Sequence, residues 1–169
     1  MKIFQPSFRI HSLNEITRLF PSLFSLKITA ILLDKDNCIT LPHSLSIHPD
    51  ISHAVHRITS TFSTAILSNS AGSFKDTSFD EATALESAIK IPVIRHNSMK
   101  PFCLRPAIQY FRKQLPTTDV KVAIIGDRLF TDVLMGNLFG LTTILVDPLD
   151  GNLDSLSVKA MRKMESLFM

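Results

Sequence analysis

Four short polar groups in this 169-residue sequence hold the residue types that do acid–base, nucleophilic and metal-assisted chemistry. They are Asp34-Lys35-Asp36, Ser68-Asn69-Ser70, Lys100, and Gly126-Asp127 with Asp132 five residues on. If the backbone stays extended through Asp36, residues i and i+2 face one side, so the two carboxylates meet while Lys35 points away. Like charges at close range resist joint ionisation, and a divalent cation removes that cost. Asp34, Asp127 and Asp132 could supply the hard oxygen set that Mg²⁺ prefers. Each group alone has an ordinary account. Ser-Asn-Ser is common turn chemistry, and Asp127 or Asp132 could simply cap a helix. Their order, and their shared place at the ends of strands, argues for a site.

The elements that would position them alternate. Thr29–Asp34 is a nearly continuous apolar run, as a buried parallel strand should be. Asp50 can cap a helix whose Ile51, Ala54, Val55 and Ile58 fall at helical spacing. Thr64–Ser68, Pro92–His96, Lys121–Gly126 and Thr142–Val146 read as further strands. Asp80–Ile89, Pro106–Leu115, a segment from Thr131 to near Gly140, and Leu153–Phe168 read as helices. Strands alternating with helices imply an α/β fold, a Rossmann-like doubly wound parallel sheet. Ligands in such sheets bind beyond the carboxyl ends of the strands, where all four polar groups fall.

Composition bounds the rest. Hydrophobic residues make up 45% and charged residues 20%, which excludes a disordered chain. Cys38 and Cys103 are too few for a disulfide framework or a structural zinc site. The net charge of +3 resides in residues 1–27, where Lys2, Arg9, Arg18 and Lys27 face Glu15 alone. The remainder is balanced, which argues against a nucleic-acid partner. The sequence thus divides into a basic amphipathic N-terminal segment, 1–27, and a domain, 28–169. Ser12 and Glu15 fit a capping box before a short helix that Pro21 should end. The Phe-rich segment has two readings of equal weight: it lies in a membrane interface, or it packs on the sheet. A transit peptide is a third. In the last helix, Lys159, Arg162 and Lys163 read as a solvated basic face, beside Leu156, Ala160, Met164 and Leu167 as a packed one.

ILLDKDNCIT, AILSNSAGS, RHNSMKP and AIIGDRLFTDVLMGN resemble the four ordered motifs of the haloacid-dehalogenase-like (HAD) phosphatases. The likeness is strongest to the branch that acts on phosphatidylglycerophosphate in mitochondrial cardiolipin synthesis, and it spans roughly Ala30 to Asp147. Cys38 stands where most HAD enzymes carry threonine, and Met99 where the branch usually has the first lysine of Lys-Lys-Pro. The resemblance implies a nucleophile at Asp34 and a general acid–base at Asp36. It implies Mg²⁺ held by Asp34, the main-chain carbonyl of Asp36 and Asp127, with Asp132 orienting a metal-bound water. Phosphoryl oxygens would be bound by Ser68, the Asn69 amide and Lys100.

The spacings Asp36 to Ser68 and Ser68 to Lys100 leave room for one helix and one strand each, so the enzyme would be nearly capless. An open site suits a phosphate on something large, such as a phospholipid reached by peripheral contact through residues 1–27. By resemblance the location would be the matrix face of the mitochondrial inner membrane; a homo-oligomer stays open. A phosphatase of soluble esters or phosphoproteins is the main alternative. A receiver-like phosphoacceptor domain fits worse, because its lysine follows the last acidic group, whereas Lys100 precedes Asp127.

Overall fold

The computed structural model describes residues 2–117 and 119–168. Five parallel strands form one sheet: β1 (Phe8–Ile10), β2 (Ala30–Leu33), β3 (Ser63–Ile66), β4 (Val122–Gly126) and β5 (Thr142–Val146). Their spatial order is β1-β5-β4-β2-β3. The α-helices among the described residues are α1 (Ile16–Ser25), α2 (Ser52–Thr61), α3 (Asp80–Ile89), α4 (Leu104–Gln114), α5 (Leu134–Leu138) and α6 (Leu156–Glu165). Side chains alternate across each strand, which makes two cores. Ile31, Leu33 and Ile125 meet Ile16, Phe20, Leu23, Val55 and Leu85 on one face. Ala30, Leu32 and Ile124 meet Leu104, Ala107, Phe111 and Met135 on the other. The sheet is doubly wound and all-parallel, as the apolar runs imply.

Three local expectations need correction. Pro21 lies inside α1 rather than ending it. Its missing donor would have served the carbonyl of Thr17, and both residues are exposed, where loss of that bond costs least. Pro92–His96 is no strand: a single bridge joins Val93 to Ile66 before the chain turns away. Asp50 does not cap α2, which is entered through a tight turn, Pro49–Ile51, capped by His48. The Ser12/Glu15 capping box forms.

Residues 1–27 are not an appendage. Phe8, Arg9 and Ile10 pair with Ile144, Leu145 and Val146, adding the edge strand that sequence pattern did not reveal. Leu13, Ile16, Phe20 and Leu23 are buried in the larger core, and Phe4 packs on Phe130 and Phe168. Each such apolar side chain stabilises by about 1.5–3 kcal/mol. Together they approach the ~5–15 kcal/mol that holds a typical domain folded. Deleting residues 1–27 is therefore expected to abolish cooperative thermal unfolding and to remove activity on membrane-bound and soluble phosphate esters alike. A truncated chain that melts normally and loses only membrane-bound substrate would return the segment to a membrane role.

Candidate active site

Adjacent strands bring distant carboxylates together. Leu33 of β2 sits opposite Ile125 of β4, and the Asp34 amide donates to the Ile125 carbonyl at 2.9 Å. Asp34 and Asp127 therefore leave neighbouring strand ends side by side. After β4 the chain makes a wide π-helical turn, Leu129–Val133, of the kind that often marks functional sites. That turn swings Asp132 back over Gly126. A Cβ on Gly126 would lie 2.3 Å from the Asp132 carboxyl carbon, so only glycine admits this approach. Asp34, Asp127 and Asp132 offer oxygens that all lie within 4.8 Å of one another.

Lys100 reaches this cluster from the loop after Val93. Its Nζ pairs with Asp34 and, at 2.6 Å, with Asp132 Oδ1. Burial opposes the lysine's charge, but Asp132 and Asp34 outweigh it and raise the pKa. Burial raises the Asp34 carboxyl well above its ordinary range; Lys100 opposes that, while Asp132 and Asp127 add to it. Asp127 is pushed up to about 6 by burial, against the pull of Arg162. Lys100 pairs with Asp34 and Asp132 and Arg162 with Asp127, so three buried carboxylates meet two cations and one negative charge is left over. Among the described residues, only two buried side-chain polar atoms lack a partner, and one is Asp127 Oδ1. An orphaned carboxylate oxygen beside two further hard donors fits a divalent cation of the Mg²⁺ type.

Asp36 stands apart from the cluster, and this corrects the expectation that it meets Asp34. The extended backbone does not persist: Asn37 takes a left-handed φ of 60° and the chain turns. Lys35, expected to point away, is fully buried and donates to Asp36 Oδ1 at 2.7 Å, with Glu81 at 3.5 Å. Asp36 Oδ2 accepts from Ser70 Oγ at 2.9 Å, and Oδ1 from the His43 amide. Its carboxyl nonetheless lines the same cavity of about 460 Å³ as Asp34, Ser68, Asn69, Lys100 and Asp127. Ser68 is buried and its Oγ holds the Ser70 amide at 3.1 Å. Asn69 Oδ1 accepts from the Lys100 amide at 2.9 Å, tying the second and third polar groups together.

The profile of the family described as mitochondrial PGP phosphatase matches residues 1–150. The chain belongs to that family. It is thereby an enzyme, a phosphoric monoester hydrolase. The mitochondrial phosphatidylglycerophosphatase GEP4 of Saccharomyces cerevisiae is 40% identical over 140 residues, covering 80% of this chain and 74% of its own length. Phosphatidylglycerophosphate phosphatase 1 of Arabidopsis thaliana, named chloroplastic/mitochondrial, is 35% identical, with 80% of this chain and 39% of its own covered. The chloroplastic protein of the same name from Chlamydomonas reinhardtii is 32% identical over 82% of this chain and 51% of its own. The chain therefore spans well under two thirds of the latter two. No solved structure matches it.

Several residues of this PGP phosphatase family member were missed in the sequence. Ser70 carried a signal, since it shares the strand-end tripeptide with Ser68. His96 is buried, with Nε2 at 2.8 Å from the Ser68 carbonyl and Nδ1 against the Ser98 carbonyl, so it braces two site loops. Arg162 of α6 turns inward, not out with the solvated lysines. It pairs with the Asp127 carboxylate, donates to the Asp127 carbonyl at 3.0 Å, and meets Asp154 at 2.5 Å. Asn37 completes the chain by donating to Asp154 at 2.7 Å. Nothing in helical spacing alone ties Arg162 to a carboxylate 35 residues away.

Proposed function

We propose that this protein dephosphorylates phosphatidylglycerophosphate to phosphatidylglycerol through an aspartyl-phosphate on Asp34, with Mg²⁺ as cofactor, by the HAD route. The observation that carries the reading is the convergence of Asp34, Asp127, Asp132 and Lys100 in one buried cluster, in a chain whose relatives are named phosphatidylglycerophosphatases. Asp34 attacks phosphorus; its new O–P bond forms as the bond to the lipid's glycerol oxygen breaks. Asp36, across the cavity, gives that leaving oxygen a proton. It then takes one from the water that attacks phosphorus and releases Asp34. Ser68, the Asn69 amide and Lys100 hold the phosphoryl oxygens as charge spreads over them. Asp34, the Asp36 carbonyl and Asp127, with Asp132 beside them, would hold Mg²⁺, which supplies neutralising charge for the phosphoryl group and the carboxylates.

No cap domain is inserted: α2 and β3 fill the stretch from Asp36 to Ser68, and α3 with the Val93 bridge fills that from Ser68 to Lys100. This open side admits a phosphate carried on a bilayer lipid. GEP4 is named mitochondrial, which supports a mitochondrial location; the matrix face of the inner membrane is our proposal from the resemblance to the cardiolipin-pathway branch. Phosphate release from phosphatidylglycerophosphate, sugar phosphates, nucleotides and phosphopeptides tests the substrate. A rate on soluble esters equal to that on the lipid would favour the soluble-substrate alternative.

Lys100→Met should lower kcat/KM by roughly 10²–10³-fold, about 2.7–4 kcal/mol, the scale of other preorganised electrostatic donors. Because Lys100 holds the Asp34 carboxyl down, the acidic limb of the pH–rate profile should also move to higher pH. An unmoved limb would separate Lys100 from the nucleophile.

A further inference from the structure

We propose that the outward face of α6 docks onto an anionic lipid bilayer and sets the active-site cavity against it. The proposal rests on the reading that the substrate phosphate is carried by a lipid. Helical spacing puts Leu156, Ala160, Met164 and Leu167 on one stripe, with Lys159 and Lys163 interleaved. The sequence suggested that this apolar stripe packs. The structure turns it to solvent: Leu156 is 86% and Leu167 82% exposed, and Ala160 and Met164 are exposed as well.

The opposite face of α6 is the anchored one. Val158, Met161 and Arg162 line the active-site cavity, Arg162 grips Asp127 and Asp154, and buried Glu165 accepts from the Phe130 amide at 2.8 Å. A helix anchored inward through Arg162 and Glu165, with leucines outward between lysines, has the outer face of an interfacial helix rather than of a core helix.

Two observations select the partner. Two lysines and no acidic residue stand on the exposed stripe, which complements an anionic surface; each such lysine strengthens binding to it roughly five-fold. The helix that carries this apolar stripe also lines the cavity, through Val158, Met161 and Arg162. Met99 and Leu153 line the cavity, and three residues beyond each stand Phe102, 73% exposed, and Leu156. A bilayer seated on this rim would present a headgroup phosphate to Asp34 while the apolar side chains enter the acyl boundary. The family match ends at residue 150, before α6, so this surface does not follow from kinship. The apolar residues of the N-terminal segment are largely taken up by the core.

Vesicle sedimentation of the full chain tests the proposal. Phosphatidylcholine–phosphatidylglycerol vesicles should bind it, and pure phosphatidylcholine vesicles should bind it less. The double substitution L156Q/L167Q should weaken binding to anionic vesicles by about ten-fold or more. K159Q/K163Q should weaken it roughly twenty-fold on anionic vesicles and leave neutral ones unchanged. Both variants should keep the wild-type rate on p-nitrophenyl phosphate and nearly keep their melting temperature, since Leu156 and Leu167 are largely exposed and the one bond lost, Lys159 Nζ to the Asn152 carbonyl, lies at the surface. Wild-type vesicle affinity in both variants overturns the proposal. So does a fall in sedimentation coefficient with vesicle binding intact, which would assign the face to a second copy of the chain. Phosphatidylglycerophosphate in detergent micelles tests the substrate separately. Failure there sinks the lipid-phosphatase reading, whereas failure on vesicles alone sinks only the docking face.

Discussion

Asp34→Asn is expected to remove turnover, by on the order of 10⁴-fold or more, the scale seen when covalent catalysis loses its nucleophile. The amide is isosteric with the carboxyl but cannot form the bond to phosphorus. The fold should survive and could gain. Burial holds the Asp34 carboxyl well above its ordinary range, so its ionised form is costly in the folded chain, and a neutral side chain relieves that cost. Lys100 keeps Asp132 as a partner at 2.6 Å. The melting temperature should therefore stay level or rise while activity disappears. Asp36→Asn should behave differently. With p-nitrophenyl phosphate the leaving group needs no proton, so a burst of nitrophenol should precede slow release of phosphate. An Asp34→Asn protein with a near-native rate would remove the nucleophile assignment. An Asp36→Asn protein with no burst would remove the division of labour between the two carboxylates.

That division was only half legible beforehand. The apolar runs ending in Asp34 and Asp127 identify buried parallel strands because both faces of such strands are covered, and adjacent strand ends then bring the two residues together. Asp36 escaped the same logic because its position depends on a turn at Asn37, a single left-handed residue that no periodicity announces. The edge strand Phe8–Ile10 was hidden for another reason. It is three residues long, follows Pro6, and is defined by partners more than 130 residues away. In α6 the spacing separates two faces correctly, but periodicity does not say which of them the protein covers. Arg162 decides that: its pairing with buried Asp127 and Asp154 turns the polar side inward and leaves Leu156 and Leu167 in water.

Chelation of divalent cations is expected to bring activity to background and Mg²⁺ to restore it. Ca²⁺ should inhibit, because its looser coordination lets it take both oxygens of Asp34. Stability gives a second readout. Three clustered carboxylates and the orphaned Asp127 Oδ1 are a cost in the unloaded chain, so Mg²⁺ should raise the melting temperature through preferential binding to the folded state. The size of that rise should depend on pH. Burial pushes the Asp127 carboxyl up to about 6, above the ~3.9 of an ordinary aspartate. Between these values the folded chain holds a proton that the unfolded chain has released, so without metal this group's contribution to stability falls as pH rises through the window. Metal competes for the same oxygens, so below about pH 6 its affinity should drop by roughly ten-fold per unit for each proton displaced. The Mg²⁺-induced shift in melting temperature should thus be large at about pH 7.5 and small at about pH 5, and Asp127→Asn should flatten the difference. A shift of equal size at both pH values in the native chain would mean that the cation binds away from Asp127.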